Sequence, residues 1–478
     1  MVARILGLLI MWYGATLVPP MLVSAATADG QLPVYFVSLL LIGAAGALFY
    51  LPNRHHHAEL TLREGFLVVA AFWLVLGPIA ATPFLVAAEP QMSFTGAVFE
   101  AVSGLTTTGA TVLTGLDALP PSLLYYRQQI CWVGGLGIVI LAVAVLPMLG
   151  VGGMQLYKAE SPGQSKDKLA PRIAETAKAL WIVYLGLTVL CALAYWLAGM
   201  SLFDAVGHAY TTIATAGFST HDASFQYWDS ALIDWIAVLF MFLGGVSFAL
   251  HFVAWRALDP GAYLRDVEFS FYLRLIVVLV LLVTLFLWSR GVYAELHDSL
   301  RYAAFNFVSM MTSTGFMNAR FDQWPGFAPM LLILIGFMGA CAGSTTGGIK
   351  VIRFLIMFRQ TMVELRRLLH PRAEVPLVLG GHAVPDRVVQ AVVGYFGVYI
   401  GVFVVLYLAL LTTDLDYVSA FTGLATCMNN VGPGLGKVFY DMRAVSDTGQ
   451  WILTLGMILG RLEIYTLIVL LTPDFWRR

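Results

Sequence analysis

The sequence predicts an all-α polytopic membrane protein in which four non-identical helix–pore-loop–helix (M1–P–M2) repeats surround one pore. Of its 478 residues, 59% are hydrophobic and only 12% are charged, and the mean hydropathy is +0.81. Soluble globular proteins carry roughly 25% charged residues, so lipid must cover much of this chain. Apolar runs near the roughly 20 residues that a spanning helix needs recur along its whole length.

The first apolar run, residues 5–23, admits two interpretations. Arg4 before the run and the small residues 24–28 after it are features of a cleavable signal peptide. Pro19 and Pro20 inside the run, and the membrane segment that follows at once, favour a retained first helix.

Lysine and arginine predict the orientation, because short loops rich in these residues stay on the cytoplasmic side. Three such segments are expected to be cytoplasmic: residues 150–179, 255–274 and 350–387. Residues 108–126 and 217–229 contain neither lysine nor arginine and are expected outside. Arg477 and Arg478 predict a cytoplasmic C-terminus. No basic block is large enough to indicate nucleic-acid binding.

Four polar stretches that end in glycine align with one another: residues 99–109, 207–217, 305–315 and 422–432. In each stretch a hydroxyl residue precedes the glycine by six positions, and a small polar residue precedes it by two. The hydroxyl residues are Ser103, Thr211, Ser309 and Thr426. This internal symmetry predicts four structurally equivalent units in one chain.

Each stretch follows a segment that is too short to span the bilayer and starts with a predicted N-cap. These caps are Ser93, Ser201, Ser299 and Asp416. A half-spanning helix that points inward directs the negative end of its dipole at the membrane centre, where a cation would rest. An extended backbone after such a helix can replace the hydration shell of an ion with carbonyl oxygens. The sites lack a ring of acidic residues, which favours a weakly hydrated monovalent ion over calcium or magnesium.

At these residues the sequence resembles the Trk/Ktr/HKT superfamily of potassium transporters, and within it the TrkH type. The motifs that carry the resemblance are EAVSGLTTTGAT at 100–111, ATAGFST at 214–220, CAGSTTGGIK at 341–350, NNVGPGLG at 429–436 and GRLEIYT at 460–466. The resemblance covers nearly the entire chain. It implies potassium uptake across the bacterial inner membrane, a homodimer with one pore per protomer, and a cytosolic TrkA-like regulatory subunit that binds nucleotides. Transported K⁺ is the expected ligand, and no organic cofactor is expected on this chain.

The resemblance also implies two N-terminal transmembrane helices before the four repeats. The predicted limits are 1–60 for those helices, 61–160 for repeat 1, 161–268 for repeat 2, 269–375 for repeat 3 with a broken gate helix, and 376–478 for repeat 4.

The ion ligands that the resemblance implies are backbone carbonyl oxygens just before each filter glycine. They belong to Thr107, Thr108, Thr215, Ala216, Ser313, Thr314, Asn430 and Val431, and the filter glycines are Gly109, Gly217, Gly315 and Gly432. In such families a serine at the first filter glycine goes with sodium permeation, so glycine there favours potassium. Ala216 departs from the family pattern, which often has glycine at that position.

The third long apolar segment, within residues 330–356, is interrupted by glycines. Each glycine inside a helix costs roughly 1 kcal/mol relative to alanine. One interpretation is a close helix crossing of the small-xxx-small type. The other, which the resemblance supports, is an unwound gate loop below the filter. The predicted gate residues are Gly343, Ser344, Thr345, Thr346, Gly347, Gly348, Lys350 and Arg461.

Charged residues within the membrane usually mark pathways or paired charges. Arg461 is expected either to pair with Glu463 or to hold carbonyl groups of the loop. The alternative function is a secondary K⁺/H⁺ or K⁺/Na⁺ symporter, for which Glu100 and Glu463 are the candidate relay carboxylates. For Glu100, however, a role in supporting its pore helix is favoured over a relay role. The sequence contains no HExxH, no Gly-x-Ser-x-Gly and no paired carboxylates on one helical face, so an enzyme is not expected.

Overall fold

The computed structural model describes residues 1–55, 62–140, 169–373 and 375–477. Its regular structure is helical except for one short hairpin, which confirms the predicted all-α class. The basic residues Lys158, Lys166 and Lys168, the C-terminal Arg478 and the predicted limits near residues 60 and 160 lie outside the described residues.

Three helices precede the repeats. They are α1 (Val2–Ala15), α2 (Val18–Thr27) and α3 (Leu32–Tyr50). Helices α1 and α2 together form one candidate span, and α3 forms the second. Helix α1 crosses α3 closely, since a Cβ added to Gly7 would lie 2.8 Å from the carbonyl oxygen of Gly46. Two N-terminal spans therefore precede the repeats, as the resemblance implies.

The first two repeats share one order of elements: a long helix, a short pore helix and a second long helix. Repeat 1 contains α4 (Leu62–Ala80), α5 (Thr82–Val86), the pore helix α6 (Phe94–Leu105) and α7 (Pro121–Ile140). Repeat 2 contains α8 (Leu169–Leu197), the pore helix α9 (Leu202–Ile213), α10 (Ala231–Gly244), α11 (Phe248–Ala257) and the short α12 (Gly261–Arg265).

The last two repeats follow the same order. Repeat 3 contains α13 (Val267–Ser289), the pore helix α14 (Leu296–Met311), α15 (Ala328–Met338) and α16 (Val351–Leu369). Repeat 4 contains α17 (Asp386–Leu411), the pore helix α18 (Tyr417–Met428), α19 (Asp447–Arg461), α20 (Tyr465–Leu471) and α21 (Pro473–Trp476). Between them lies a hairpin of β1 (Val378–Leu379) and β2 (His382–Ala383), paired antiparallel with Val378 opposite Ala383.

Single 3₁₀ turns complete the regular structure. One follows α3 at Leu51–Asn53, and the others follow the four filter stretches at Leu116–Ala118, Ser224–Tyr227, Phe321–Gln323 and Gly436–Val438. Each repeat thus returns from its filter through the same kind of turn, a symmetry that the sequence motifs did not indicate.

Six candidate spans occur in the described residues, or eight if each of two bent helix pairs counts as one span. The axis bends by 96° between α10 and α11 and by 108° between α19 and α20. The second long helix is therefore interrupted in repeats 2 and 4 as well as in repeat 3. The sequence predicted only the interruption in repeat 3, because there alone a run of glycines marks it.

The apolar core divides into two large clusters. One joins repeats 2 and 3 around residues such as Tyr184 and Phe307. The other joins the N-terminal helices to repeats 1 and 4 around residues such as Trp73 and Leu453. Both clusters include residues of the filter stretches, such as Val431 in the first and Leu105 in the second, so both contribute to holding these stretches.

Three of the four predicted N-caps are confirmed, because Ser93, Ser201 and Asp416 each accept a hydrogen bond from the backbone N–H three residues on. The prediction for Ser299 is wrong. Helix α14 begins one turn earlier, at Leu296, so Ser299 lies inside the helix. Asp298 in the first turn favours this earlier start, since an acidic side chain there interacts well with the helix dipole.

Candidate functional site

Each pore helix is followed, two residues after its last residue, by a residue with left-handed backbone that lies two positions before the filter glycine. The φ angle is +54° at Thr107, +51° at Thr215, +54° at Ser313 and +53° at Asn430. This conformation ends the helix and turns the chain back alongside it. The position tolerates threonine, serine and asparagine, although a positive φ is uncommon for residues other than glycine, so the repeated turn is a shared structural constraint of all four copies.

One backbone hydrogen bond recurs at this turn in every repeat, with lengths of 2.7 to 2.9 Å. In each repeat the backbone N–H of the residue before the filter glycine donates to a carbonyl oxygen of the pore helix. The bonds run from Thr108 to Ser103, from Ala216 to Thr211, from Thr314 to Ser309 and from Val431 to Thr426. The N–H and C=O of a trans peptide point in opposite directions. Because each N–H points back to the pore helix, the carbonyl oxygen of the preceding residue points away from it. The four oxygens so directed belong to Thr107, Thr215, Ser313 and Asn430.

The four filter stretches form a closed ring. In three repeats a Cβ added to the filter glycine would overlap the carbonyl oxygen of the residue before the next glycine, and in the fourth it would lie 2.8 Å from it. The contacts run from Gly109 to Ala216, from Gly217 to Thr314, from Gly315 to Val431 and from Gly432 to Thr108. Each repeat therefore touches its successor, and repeat 4 closes the cycle on repeat 1. The structure brings all twelve predicted filter residues together.

A cavity of about 430 Å³ opens on one side of this ring, and all four filter glycines line it. We call it the vestibule. The polar residues of the filter, by contrast, are fully buried, with 0% exposure at Thr107, Thr215, Ser313 and Asn430. The filter thus connects to open space through the vestibule.

Ala216 differs from its counterparts in the other repeats. Its carbonyl oxygen accepts a hydrogen bond of 3.0 Å from the N–H of Phe218. The same bond is not formed at Thr108, Thr314 or Val431 among the described residues. The carbonyl group at the position where the family pattern departs is therefore held by its own chain.

The gate segment is an unwound loop rather than a helix crossing. Helix α15 ends at Met338 and α16 begins at Val351, and residues 339–350 between them are not helical. Left-handed φ angles of +75° at Gly343 and +74° at Gly348 require glycine there. We call residues 339–350 the gate loop.

The gate loop contacts the filter on the side away from the vestibule. The N–H of Gly347 donates a hydrogen bond of 2.6 Å to the Ser313 hydroxyl, and the hydroxyls of Thr215 and Thr345 lie 3.2 Å apart. A Cβ added to Gly347 would overlap the carbonyl oxygen of Asn429. The loop therefore touches the filter stretches of repeats 2, 3 and 4.

Two charged side chains donate hydrogen bonds to the gate loop. Nη2 of Arg461 donates a hydrogen bond of 2.6 Å to the Thr345 carbonyl oxygen, and Nζ of Lys350 donates to the carbonyl and hydroxyl oxygens of Thr346. Arg461 was expected either to pair with Glu463 or to hold carbonyl groups of the loop. It holds a loop carbonyl, and Glu463 pairs instead with Arg353 at 2.5 Å.

Glu268 is a residue that sequence reasoning missed. Its Oε1 accepts hydrogen bonds from the N–H of Ala342 at 2.8 Å and from that of Ile352 at 3.1 Å. One carboxylate at the start of α13 thus ties the gate loop to the first turn of α16. Arg353 was also missed, since it was counted among the cytoplasmic basic residues but is buried. A carboxylate at the start of a long apolar helix was the available signal for Glu268.

Glu100 and Arg127 form a buried ion pair of 2.9 Å in repeat 1, with side-chain exposures of 0% and 1%. Glu100 also accepts a hydrogen bond of 3.0 Å from the N–H of Val112. Arg127 donates one of 3.1 Å to the carbonyl oxygen of Ser219, which lies just after the filter of repeat 2. Glu100 therefore supports its pore helix, and Arg127, an isolated arginine in an apolar helix, connects two repeats. Both carboxylates considered for a symporter are ion-paired, so that alternative is not favoured.

Comparison with known proteins agrees with this architecture. A family model described as TrkH, cation transport protein, matches residues 32–477. The chain is 49% identical to the Trk system potassium uptake protein TrkH of Halomonas elongata, over 100% of this chain and 99% of that protein. It is 47% identical to the protein of the same name from Escherichia coli K12, with the same coverage.

A solved structure shares the fold as well as the sequence. The crystal structure of the potassium transporter TrkH from Vibrio parahaemolyticus matches with a TM-score of 0.93 at 47% sequence identity, covering 100% of this chain and 99% of that one. The apolar helices and these relatives make the protein a multi-pass membrane protein. The chain belongs to the TrkH family of cation transport proteins.

Proposed function

We propose that this protein takes up potassium across the bacterial inner membrane through a channel-like selectivity filter. The ligands are the backbone carbonyl oxygens before the four filter glycines, from Thr107 and Thr108 in repeat 1 to Asn430 and Val431 in repeat 4. The closed ring of glycine-to-carbonyl contacts carries this proposal. Four uncharged stretches that meet around one axis can surround a dehydrated monovalent cation with peptide oxygens.

The gate loop is proposed to close this pathway. It contacts three of the four filter stretches on the side away from the vestibule, and Lys350 and Arg461 lie against it. A cation that leaves the filter would meet both the loop and two positive charges. Opening must therefore displace the loop, and Gly343 and Gly348, whose backbone is left-handed, are suitable hinges.

Regulation is proposed to come from outside this chain. The family resemblance supports a homodimer with one pore per protomer and a cytosolic TrkA-like subunit that binds nucleotides. The lysine and arginine pattern supports a cytoplasmic position for the C-terminus and for residues 350–387, which follow the gate loop directly. A partner that binds there would act on α16, the helix that begins where the gate loop ends.

Rubidium and sodium uptake into proteoliposomes tests the filter. In Gly109→Ser the new side chain would overlap the carbonyl oxygen of Ala216 at a φ of +79°, so the ring should distort. We expect the ratio of rubidium to sodium uptake to fall by about tenfold or more. Gly115→Ser is the matched control, because Gly115 also has a positive φ of +69° but no atom within 4 Å of the added Cβ. Equal ion ratios in the two variants would reject the filter assignment.

A further inference from the structure

A small cavity lies under the gate loop, on the side away from the filter. Its volume is about 40 Å³, and Gly343, Gly347, Lys350, Arg461 and Glu463 are among the residues that line it. A cavity needs roughly 10–15 Å³ of such space to hold a water molecule. The cavity therefore has room for one small ion with a water molecule beside it.

Two cations of this cavity have hydrogen-bond donors to spare. Arg461 is 7% exposed, and its Nε is buried without a hydrogen-bond partner among the described residues. Lys350 uses two of the three donors of its ammonium group, both on Thr346. A buried donor without a partner is costly, at about 1–3 kcal/mol or more for a charged group.

The charges around the gate loop are also unbalanced. Arg353 and Glu463 neutralise each other in an ion pair. In the part of the chain that the structure describes, neither Lys350 nor Arg461 forms an ion pair. The carboxylate of Glu268 approaches the loop, but it accepts hydrogen bonds from backbone N–H groups. Three cations, Lys350, Arg353 and Arg461, thus lie near two carboxylates, Glu268 and Glu463. One positive charge is left without a counter-charge, which a buried charge requires.

We infer that this cavity is a binding site for one small inorganic anion such as chloride, held between Nζ of Lys350 and Nε of Arg461. The anion supplies the acceptor that both groups lack and neutralises the repulsion between them. The two donors also hold the carbonyl oxygens of Thr345 and Thr346, so the anion stabilises the loop in the position that contacts the filter. Its effect on flux rests on the proposed gate, whereas the binding itself does not.

Anion binding can be measured on the purified full-length protein in detergent. The thermal unfolding midpoint is compared in potassium chloride and in potassium gluconate at equal ionic strength, because gluconate is too large for the cavity. We expect chloride to raise the midpoint by about 2 °C or more. The shift should vanish in Lys350→Met and in Arg461→Gln. It should persist in Arg359→Gln, which removes an exposed arginine from the helix that follows the loop.

A second measurement does not depend on the folding of any variant. Crystals of the unaltered protein grown in bromide should show an anomalous scattering peak between Lys350 and Arg461. A cavity without such a peak would hold only water and would overturn the inference, as would a chloride shift that survives in both Lys350→Met and Arg461→Gln.

Flux separates this inference from the proposed function. Rubidium flux into proteoliposomes without a partner should be about twofold lower with chloride inside than with gluconate inside. A bromide peak in a protein that conducts no rubidium in either anion would support the anion site while rejecting the proposed conduction. Normal conduction with no bromide peak would do the reverse.

Discussion

Arg461 donates a 2.6 Å hydrogen bond to the carbonyl oxygen of Thr345, and this bond joins the second long helix of repeat 4 to the gate loop of repeat 3. Arg461 is 7% exposed, and 116 residues separate it from its acceptor. The position of the loop therefore depends on a contact between repeats, and a displacement of α19 away from the gate loop would break it.

Arg461→Gln tests this contact. A hydrogen bond to a charged group contributes about 1.5–3 kcal/mol, and its loss should increase the population of the displaced loop about tenfold or more. We expect rubidium flux without a partner to rise accordingly in proteoliposomes. Arg359→Gln, an exposed arginine on α16, should leave the flux unchanged. Basal flux in well-folded Arg461→Gln that matches the unaltered protein would contradict a role for this bond in closure.

Ser313→Ala tests the contact between filter and gate loop. The hydroxyl of Ser313 accepts a hydrogen bond of 2.6 Å from the N–H of Gly347, and its removal leaves a buried donor unpaired, at a cost of about 1–3 kcal/mol. We expect higher basal flux with an unchanged ratio of rubidium to sodium, because the backbone carbonyls remain. Thr107→Ala is the matched control, since the hydroxyl at the equivalent position of repeat 1 has no partner among the described residues. Equal flux in the two variants would show that the serine contact does not restrain the loop.

The ion pair of Glu100 and Arg127 should contribute to both stability and selectivity. Removal of one partner from a buried ion pair costs about 3–5 kcal/mol, because the other charge is left uncompensated. Glu100→Gln should therefore lower the thermal unfolding midpoint and the ratio of rubidium to sodium uptake. The double variant Glu100→Gln with Arg127→Met should recover part of the midpoint, since it leaves no charge behind. A double variant with the summed losses of the single changes would show that the two side chains act independently.

His221 should make the stability of the loops around the vestibule pH-dependent. It lies between the carboxylates of Asp117 and Asp204, with Nε2 at 3.6 Å from Asp204. Burial lowers the pKa of His221, but both carboxylates raise it more strongly, so the pKa lies above its ordinary value. A raised pKa in the folded state means that this contribution to stability is complete below about pH 6.5, the ordinary value. It is lost as the pH rises through the raised value.

Thermal unfolding between about pH 6 and pH 9 measures this effect. The midpoint of the unaltered protein should fall relative to that of His221→Gln as the pH rises. His297→Gln is the control, because the His297 side chain is 78% exposed. Parallel pH profiles for His221→Gln and the unaltered protein would contradict the raised value, because they would mean that His221 has the same pKa in the folded and unfolded states.

Local features of the chain were sufficient to predict the repeats and the four glycine-terminated stretches that meet in the ring. The left-handed turn at Thr107 and the glycine at Gly109 depend on short-range geometry, and the same local pattern recurs at Asn430 and Gly432. Clustered glycines also indicated a weak helix within residues 330–356, whereas the choice of an unwound loop over a close helix crossing rested on the family resemblance. The bend between α10 and α11 was not, because the only glycines there are Gly244 and Gly245, without a longer run.

The sequence by itself determined the membrane character, the order of the elements, and the residues of each filter stretch. Only the tertiary structure decided which repeat follows which around the ring, that Arg461 holds Thr345 while Glu463 pairs with Arg353, and that Glu268 ties the loop to α16. Patterns of hydrophobicity and glycine act within a few residues and can be read along the chain. The choice of partner for a buried charge depends on distances between segments far apart in sequence, and packing alone fixes those distances.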